Sequence, residues 1–224
     1  AYTQLSRASA TAVIASIRSI DADFGKNDTI NSDAGNDIVI GGSLDDTITA
    51  SGGNNIIIGD SGAVEYLSTD TDLATLDEVT THSDFYGAAD TITTGEGNDI
   101  LIGSSRKDTL TTTGGDNIIL GDRGYIKYLN GFLDEVSSTA LDQGLGDVIS
   151  TGAGNDTVIA GIGNNTLPTD SGTDLILDYH AIIDYDAADG SFQTQTQLYP
   201  DSADYMLNLG IIEVQGGNFA LIEW

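Results

Sequence analysis

Oxygen-bearing side chains recur at every ninth position in three parts of this chain of 224 residues. The recurrent residue is Asp or Asn, and the twelve positions are Asp28, Asp37, Asp46, Asn55, Asp90, Asp99, Asp108, Asn117, Asp147, Asp156, Asn165 and Asp174. Turns rich in Gly and Asn precede several of them, as at 34–37 and 153–156, and offer free carbonyl oxygens. Carboxylate, amide and carbonyl oxygens are the hard ligands that Ca²⁺ prefers, so the pattern predicts calcium sites.

The same residues have an ordinary structural interpretation, because Asp and Asn stabilise turns through hydrogen bonds to nearby backbone groups. Three of the twelve residues are Asn, and Lys26 and Lys107 fall within two of the turns. Two alternatives follow: several bound calcium ions, or a mostly metal-free Asn/Asp ladder. Asp60 and Asp122, which lie in two Gly-Asp-x-Gly corners, are secondary candidates for calcium ligands.

A large aliphatic residue follows two positions after each of these twelve residues. The aliphatic residues are Ile30, Val39, Ile48, Ile57, Ile92, Leu101, Leu110, Ile119, Ile149, Val158, Leu167 and Ile176. In a three-residue strand such as 38–40, the middle side chain points to one face and its neighbours to the other. We therefore expect all twelve to point into a shared interior.

Two nonamers complete one coil of a flattened solenoid, so residues 18 apart stack on neighbouring coils. The expected same-side pairs are Asp28 with Asp46, Asp90 with Asp108, Asp147 with Asn165, Asp37 with Asn55, Asp99 with Asn117, and Asp156 with Asp174. Stacked carboxylates repel each other until a cation lies between them.

These nonamers resemble the repeats of the RTX (repeats-in-toxin) proteins, which read GGxGxDxUx with U a large aliphatic residue. The resemblance covers about 108 residues, although the leading Gly-Gly pair survives only as Gly41-Gly42. It implies that the sixth-position side chains of successive turns hold Ca²⁺ together with turn carbonyls. Periodicity and resemblance predict an all-β fold, a right-handed parallel β-roll (a β-solenoid) with two parallel sheets and β-hairpin-like excursions.

Domain boundaries are expected where the nonamers stop. We expect a partial excursion over 1–27, a β-roll over 28–177, and a C-terminal hairpin, cap or assembly segment over 178–224. The roll consists of the blocks 28–58, 90–120 and 147–177, with the excursions 59–89 and 121–146 between them. The excursions share a sequence frame, so the chain reads as three super-repeats of about 60 residues.

The two predicted sheets have unlike outer surfaces. One is a ladder of Thr side chains at positions 47, 49, 91, 93, 109 and 111. The other is apolar on both surfaces, as at 56–58, and must be covered because large exposed apolar patches are rare. We expect the excursions to cover it with Val64, Tyr66, Leu73, Leu76, Tyr125, Tyr128, Phe132 and Leu133. The alternative is that a neighbouring subunit supplies part of the cover.

The chain is strongly acidic, with 35 Asp and Glu against 7 Lys and Arg and a formal net charge of −28. This charge excludes binding to the phosphate backbone of nucleic acid. Disorder is not expected, because 39% of the residues are hydrophobic and these are periodic. No apolar run is long enough for a transmembrane segment. Because the sequence starts at Ala1, we expect a processed chain or a piece of a longer one.

The predicted function is that of a secreted protein, extracellular or on the cell surface, which folds on meeting calcium. It would be a structural segment of a surface layer, sheath, filament or adhesin. Catalysis is not expected, since His82 and His180 are the only histidines and neither lies in a recognisable catalytic pattern. The alternatives are ice or surface binding by the Thr ladder, or a β-roll accessory module of a secreted enzyme.

The expected partners are calcium ions and other copies of the chain. Apolar residues are concentrated in the stretches 11–20 and 209–224, and such ends suit a head-to-tail polymer. The alternative is that the C-terminal stretch folds back and caps its own solenoid.

Overall fold

The computed structural model of the chain describes residues 2–7, 14–20, 25–68, 72, 74–82, 87–139, 145–167 and 171–198. Within these ranges nineteen β-strands form three sheets, two of them parallel and one antiparallel. The predicted all-β fold with two parallel sheets, a β-roll, is confirmed. In the same ranges no helix has the length and apolar character that a membrane span requires.

The strands alternate between the three sheets along the chain. In chain order they are β1 (Tyr2–Arg7), β2 (Ile14–Ile20), β3 (Thr29–Ala34), β4 (Ile38–Ile40), β5 (Thr47–Gly52), β6 (Ile56–Ile58), β7 (Gly62–Glu65), β8 (Glu78–Thr81), β9 (Thr91–Thr94), β10 (Ile100–Ser104), β11 (Thr109–Thr111), β12 (Ile118–Asp122), β13 (Gly124–Leu129), β14 (Phe132–Ser138), β15 (Val148–Ser150), β16 (Thr157–Ile159), β17 (Leu175–Leu177), β18 (His180–Tyr185) and β19 (Phe192–Leu198).

The roll is made of two parallel sheets that face each other. We call β3-β5-β9-β11-β15 the Thr sheet and β4-β6-β10-β12-β16-β17 the aliphatic sheet. Strands on either side of an excursion pair directly and in register, as Thr47 of β5 does with Thr91 of β9. The excursions therefore leave the stack of coils unbroken.

The core of the roll consists of the aliphatic residues that follow each Asp or Asn. Eight of the twelve are at most 1% exposed, namely Ile48, Ile57, Ile92, Leu101, Leu110, Ile119, Ile149 and Val158. The other four, Ile30, Val39, Leu167 and Ile176, are partly buried against the same cluster and belong to the first and last coils. The prediction that all twelve point inward is confirmed.

The excursions form a third layer, an eight-stranded antiparallel sheet in the order β1-β2-β7-β8-β13-β14-β18-β19, which we call the lid sheet. Its hairpins leave the roll on the same side, so neighbouring hairpins pair with each other as well as within themselves. A second core joins this sheet to the aliphatic sheet and includes Ile58, Ile102, Val79 and Ile126. The excursions thus cover the apolar surface, as predicted.

The inward residues of the lid sheet differ in part from those expected. Val64 is fully buried, and Tyr66, Leu76, Tyr128 and Leu133 pack against the second core. Tyr125 instead bonds through its hydroxyl to Glu135 on the outer face, and Phe132 is 43% exposed. Side chains alternate along a strand, so β13 turns Ile126 and Tyr128 inward and Tyr125 outward. Leu73 lies outside the described residues.

The described part of the N-terminal stretch 11–20 belongs to the lid sheet. β2, which covers most of the 11–20 stretch, is paired with β1 on one side and β7 on the other, so it is not an open edge. The predicted C-terminal hairpin is confirmed as β18 and β19, joined by a turn at 186–190. The 209–224 stretch lies outside the described residues.

The packing of the roll generates a test of its register. Ile119 is completely buried, so Ile119→Ala should cost about 2–5 kcal/mol of unfolding free energy through lost burial and a cavity. Thr91→Ala, at an exposed position of the Thr sheet, should change it by less than about 0.5 kcal/mol. Urea unfolding in calcium measures both, and equal effects would contradict the register.

Candidate calcium site

The twelve Asp and Asn residues lie along two opposite edges of the roll, at the end of each turn. We call one the carboxylate edge; its residues are Asp28, Asp46, Asp90, Asp108, Asp147 and Asn165. The other, the mixed edge, carries Asp37, Asn55, Asp99, Asn117, Asp156 and Asp174. Each of the six pairs of residues that are 18 positions apart, which the sequence predicts to stack, is found on one of these edges.

A hydrogen-bond ladder runs along each edge from coil to coil. On the carboxylate edge the backbone N–H of Asp46 donates to Oδ1 of Asp90 at 2.7 Å, and that of Asp90 donates to Oδ1 of Asp108 at 2.7 Å. The mixed edge has the same arrangement at 2.8 to 3.1 Å. The ladder stabilises the turns, which is the structural role that the sequence predicts as an alternative, and it uses one oxygen of each carboxylate after the first coil.

The second carboxylate oxygen, Oδ2, is buried and accepts no hydrogen bond from any group in the described ranges. On the carboxylate edge this holds for Asp46, Asp90, Asp108 and Asp147, whose residues are at most 2% exposed. A buried charged oxygen without a partner costs several kcal/mol of solvation, so these oxygens require a proton or a cation.

Glycine is required beside these oxygens, because any side chain there would collide with them. A Cβ added to Gly103 would lie 2.5 Å from Oδ2 of Asp108 and 2.6 Å from the carbonyl oxygen of Gly121 in the next coil. At Gly59 the corresponding distances are 2.4 Å to Oδ2 of Asp90 and 2.7 Å to the carbonyl oxygen of Gly103. Carboxylate and carbonyl oxygens thus converge at repeated points along the edge, and their chemistry fits Ca²⁺.

The electrostatics of the carboxylate edge also favour a cation. Burial raises the pKa of Asp46 to about 6, of Asp147 to about 7 and of Asp90 to about 8, and it raises the pKa of Asp108 well above its usual value. Neighbouring carboxylates raise the pKa of Asp90 and Asp108 further. No Lys or Arg in the described ranges forms a direct ion pair with these four residues, although the charge of Lys107 partly offsets the rise in the pKa of Asp147.

The secondary candidates Asp60 and Asp122 hold the turns of the following coil. Oδ1 of Asp60 accepts the N–H of Ala88 at 3.2 Å and Oδ2 accepts that of Ser105 at 3.1 Å. Oδ2 of Asp122 accepts the N–H of Ile162 at 2.6 Å, while its Oδ1 has no partner in the described ranges. Burial raises the pKa of Asp122 to about 8. Both therefore add buried carboxylates where the excursions leave the roll.

The coordination available here is mostly backbone. In the part of the chain that the structure describes, no three acidic or His side chains converge on one point. A calcium ion in these turns would therefore take a carboxylate oxygen from the ladder and complete its coordination with turn carbonyls and solvent, as its flexible geometry permits.

Sequence reasoning missed two features of the edges. It did not pair Asp46 with Asp90 or Asp108 with Asp147, which are 44 and 39 residues apart across the excursions. It also missed an exposed ladder beside the mixed edge, in which side-chain oxygens accept the N–H of the next coil: Asn36, Asn54, Asn98, Asp116 and Asn155. The Asn that precedes Asp in the repeated Gly-Asn-Asp turns was the available signal.

Comparison with protein families agrees with this geometry. The family model of the RTX calcium-binding nonapeptide repeat, which comprises four copies, matches residues 25–48, 40–63, 87–105, 93–125 and 144–176. The chain belongs to the RTX repeat family. RTX nonapeptide repeats bind calcium ions, so calcium is the cofactor of this β-roll. No curated protein and no solved structure matches the chain.

Proposed function

We propose that this RTX β-roll is an extracellular, calcium-stabilised structural module without catalytic activity, a segment of a surface layer, sheath, filament or adhesin. The observation that carries the proposal is the run of four successive buried Asp residues on the carboxylate edge, each with an Oδ2 that lacks a partner in the described ranges. Such an edge gives the folded state a strong dependence on a divalent cation.

The proposed mechanism couples folding to calcium. Ionised carboxylates on successive coils repel each other, and the net charge of −28 opposes compaction of the whole chain. Calcium that binds between coils removes both penalties and has no equivalent site in the unfolded chain, so its binding free energy becomes folding free energy. A chain of this kind stays unfolded where calcium is scarce and folds where calcium is abundant, outside the cell.

The absence of catalysis is supported by the surroundings of the one described histidine that contacts a possible nucleophile. His180 is fully buried, and its Nδ1 lies 2.9 Å from Oγ of Ser138. Its Nε2 has no partner in the described ranges, so no carboxylate orients the ring there. Both residues lie within the lid sheet, Ser138 in β14 and His180 in β18.

The structural proposal includes self-association of the chain, with copies stacked head to tail. The first and last coils are less well covered than the middle ones: Val39 and Ile176 are half-buried, whereas Ile57 and Val158 are fully buried. The ladders are complementary at the two ends, because Asp28 would offer side-chain acceptors and Asn165 a backbone donor to a second copy. Head-to-tail stacking would continue both edges without a change of register.

Calcium dependence is the first test of the proposed function. The melting temperature should rise with calcium and fall with EGTA, and each site should add about 2.7 kcal/mol at one hundred times its dissociation constant. Folding outside the cell further predicts dissociation constants of about 10⁻⁴–10⁻³ M, the range of extracellular modules. Identical melting curves in calcium and EGTA would rule the proposal out.

Sedimentation tests self-association separately. In calcium, the average mass should increase with protein concentration, and EGTA should return the chain to a monomer. A single monomeric species at high concentration in calcium would remove the head-to-tail arrangement and leave the calcium-stabilised roll intact.

Ice or surface binding is a second candidate because no segment in the described ranges packs on the outer face of the Thr sheet. The lid sheet packs on the aliphatic sheet, at the opposite side of the roll. Thr47 and Thr91 are exposed, and they are aligned in register with Thr109. The ladder weakens at Val148 and Ser150, where the next strand carries no Thr.

Thermal hysteresis of the purified protein decides between the candidates. An ice-binding face predicts measurable hysteresis that Thr91→Tyr abolishes, because a bulky ring breaks the flat array. The control is Asn98→Tyr, which adds the same ring on the exposed ladder beside the mixed edge, away from the Thr sheet. Absence of hysteresis would eliminate ice binding.

A further inference from the structure

The three ladder residues that are Asn share an arrangement of their amide nitrogens. Nδ2 of Asn55 donates to the carbonyl oxygen of Gly53 at 2.8 Å, within its own turn. Nδ2 of Asn117 does the same to Gly115 at 2.9 Å, and Nδ2 of Asn165 to Gly161 at 3.0 Å. Each nitrogen also donates to a carboxylate oxygen, at 2.9 Å to Asp99, 2.8 Å to Asp156 and 2.8 Å to Asp178.

The hydrogen-bond network fixes the orientation of these amides. Oδ1 of Asn117 accepts the backbone N–H of Asp99 at 2.9 Å, while Nδ2 faces oxygens only. The reversed amide would place an oxygen against the Gly115 carbonyl and a nitrogen against the Asp99 N–H. Both contacts would then be repulsive, so a single orientation is compatible with the surroundings.

The nitrogen of Asn117 lies in a cage of oxygens. Four oxygens surround Nδ2: Oγ1 of Thr112 at 3.0 Å, the Gly115 carbonyl at 2.9 Å, the Thr151 carbonyl at 3.3 Å and Oδ1 of Asp156 at 2.8 Å. An amide nitrogen carries two hydrogens, so this cage offers more acceptors than the amide can use. Carbonyl, hydroxyl and carboxylate oxygens are the ligands that a calcium ion takes, and solvent would complete the six to eight that it requires.

The ladder Asp residues show the opposite arrangement. Where Asn places an N–H donor, Asp places a second oxygen, and that oxygen is buried without a partner in the described ranges at Asp37, Asp46, Asp90, Asp99, Asp108, Asp147 and Asp156. An oxygen in this place faces other oxygens and needs a positive group between them.

We propose that the side-chain amide of Asn takes the place of a calcium ion at Asn55, Asn117 and Asn165, so that calcium binds in this roll only beside the ladder residues that are Asp. The inference rests on the proposal that the ladder residues are the calcium ligands. It makes the two edges unequal: calcium forms a continuous column along the carboxylate edge, whereas on the mixed edge an amide interrupts the column after Asp37 and after Asp99.

Asn117→Asp tests the inference by restoring a carboxylate inside the oxygen cage. Equilibrium dialysis against ⁴⁵Ca²⁺, on protein whose folding is checked by circular dichroism in the same buffer, should find one more calcium ion per chain than in the wild type. The variant should melt lower than the wild type in EGTA and close to it in calcium. Asn55→Asp should behave in the same way, and it serves as an independent second variant.

The matched control is Asn98→Asp, which makes the same charge change on the exposed ladder of the same edge. It should leave the number of bound calcium ions unchanged. The opposite change is made in Asp108→Asn, which should bind one calcium ion fewer than the wild type and whose melting temperature should fall less in EGTA. Its control is Asp116→Asn on the exposed ladder, which should bind as many calcium ions as the wild type.

The outcomes separate the inference from the proposal beneath it. If the wild type binds calcium but Asn117→Asp and Asn55→Asp bind no additional ion, the amide does not replace a cation and the inference is wrong. A calcium count that rises equally in Asn98→Asp would also contradict it, because charge alone would then be responsible. If the wild type binds no calcium at all, the ladder proposal itself fails.

Discussion

Each coil of this solenoid ends its turn on a side chain that must accept a backbone N–H from the coil before it. Asp and Asn both meet this requirement through Oδ1, which fixes the spacing and register of the coils. The same geometry buries the second atom of the side chain among turn carbonyls. An amide nitrogen is stable there and an ionised carboxylate oxygen is not, so the ladder that aligns the coils also creates the need for a proton or a cation.

The carboxylate edge also connects the roll to the lid sheet. The interior of the roll is only one side chain deep, so its hydrophobic burial alone contributes little stability. The lid sheet adds a second core against the aliphatic sheet. Asp90 and Asp147 are the residues at which the chain returns from its excursions, and both belong to the carboxylate edge. A cation that fixed these returns would also fix the hairpins, so calcium bound at the edge would stabilise the lid sheet as well as the coils.

Much of this was predictable because the period of nine residues ties chemistry to position. The period placed Ile57 in the core and paired Asp90 with Asp108. It could not pair Asp46 with Asp90, because an excursion of variable length interrupts the period while the coils stay in contact. Apolar character alone selected Tyr125 for the lid core, whereas strand alternation selects Ile126. The nine-residue period places Asn117 at the same position as the ladder Asp residues, and only the surroundings of its Nδ2 show that it differs from them.

The central claim is that cations neutralise the buried ladder carboxylates. Anomalous difference density from crystals grown in calcium tests it most directly, since the signal locates the metal independently of the protein atoms. The account predicts peaks beside Oδ2 of Asp46, Asp90, Asp108 and Asp147, and none within coordination distance of Nδ2 of Asn117. A well-ordered crystal with no anomalous peak along the carboxylate edge would contradict it.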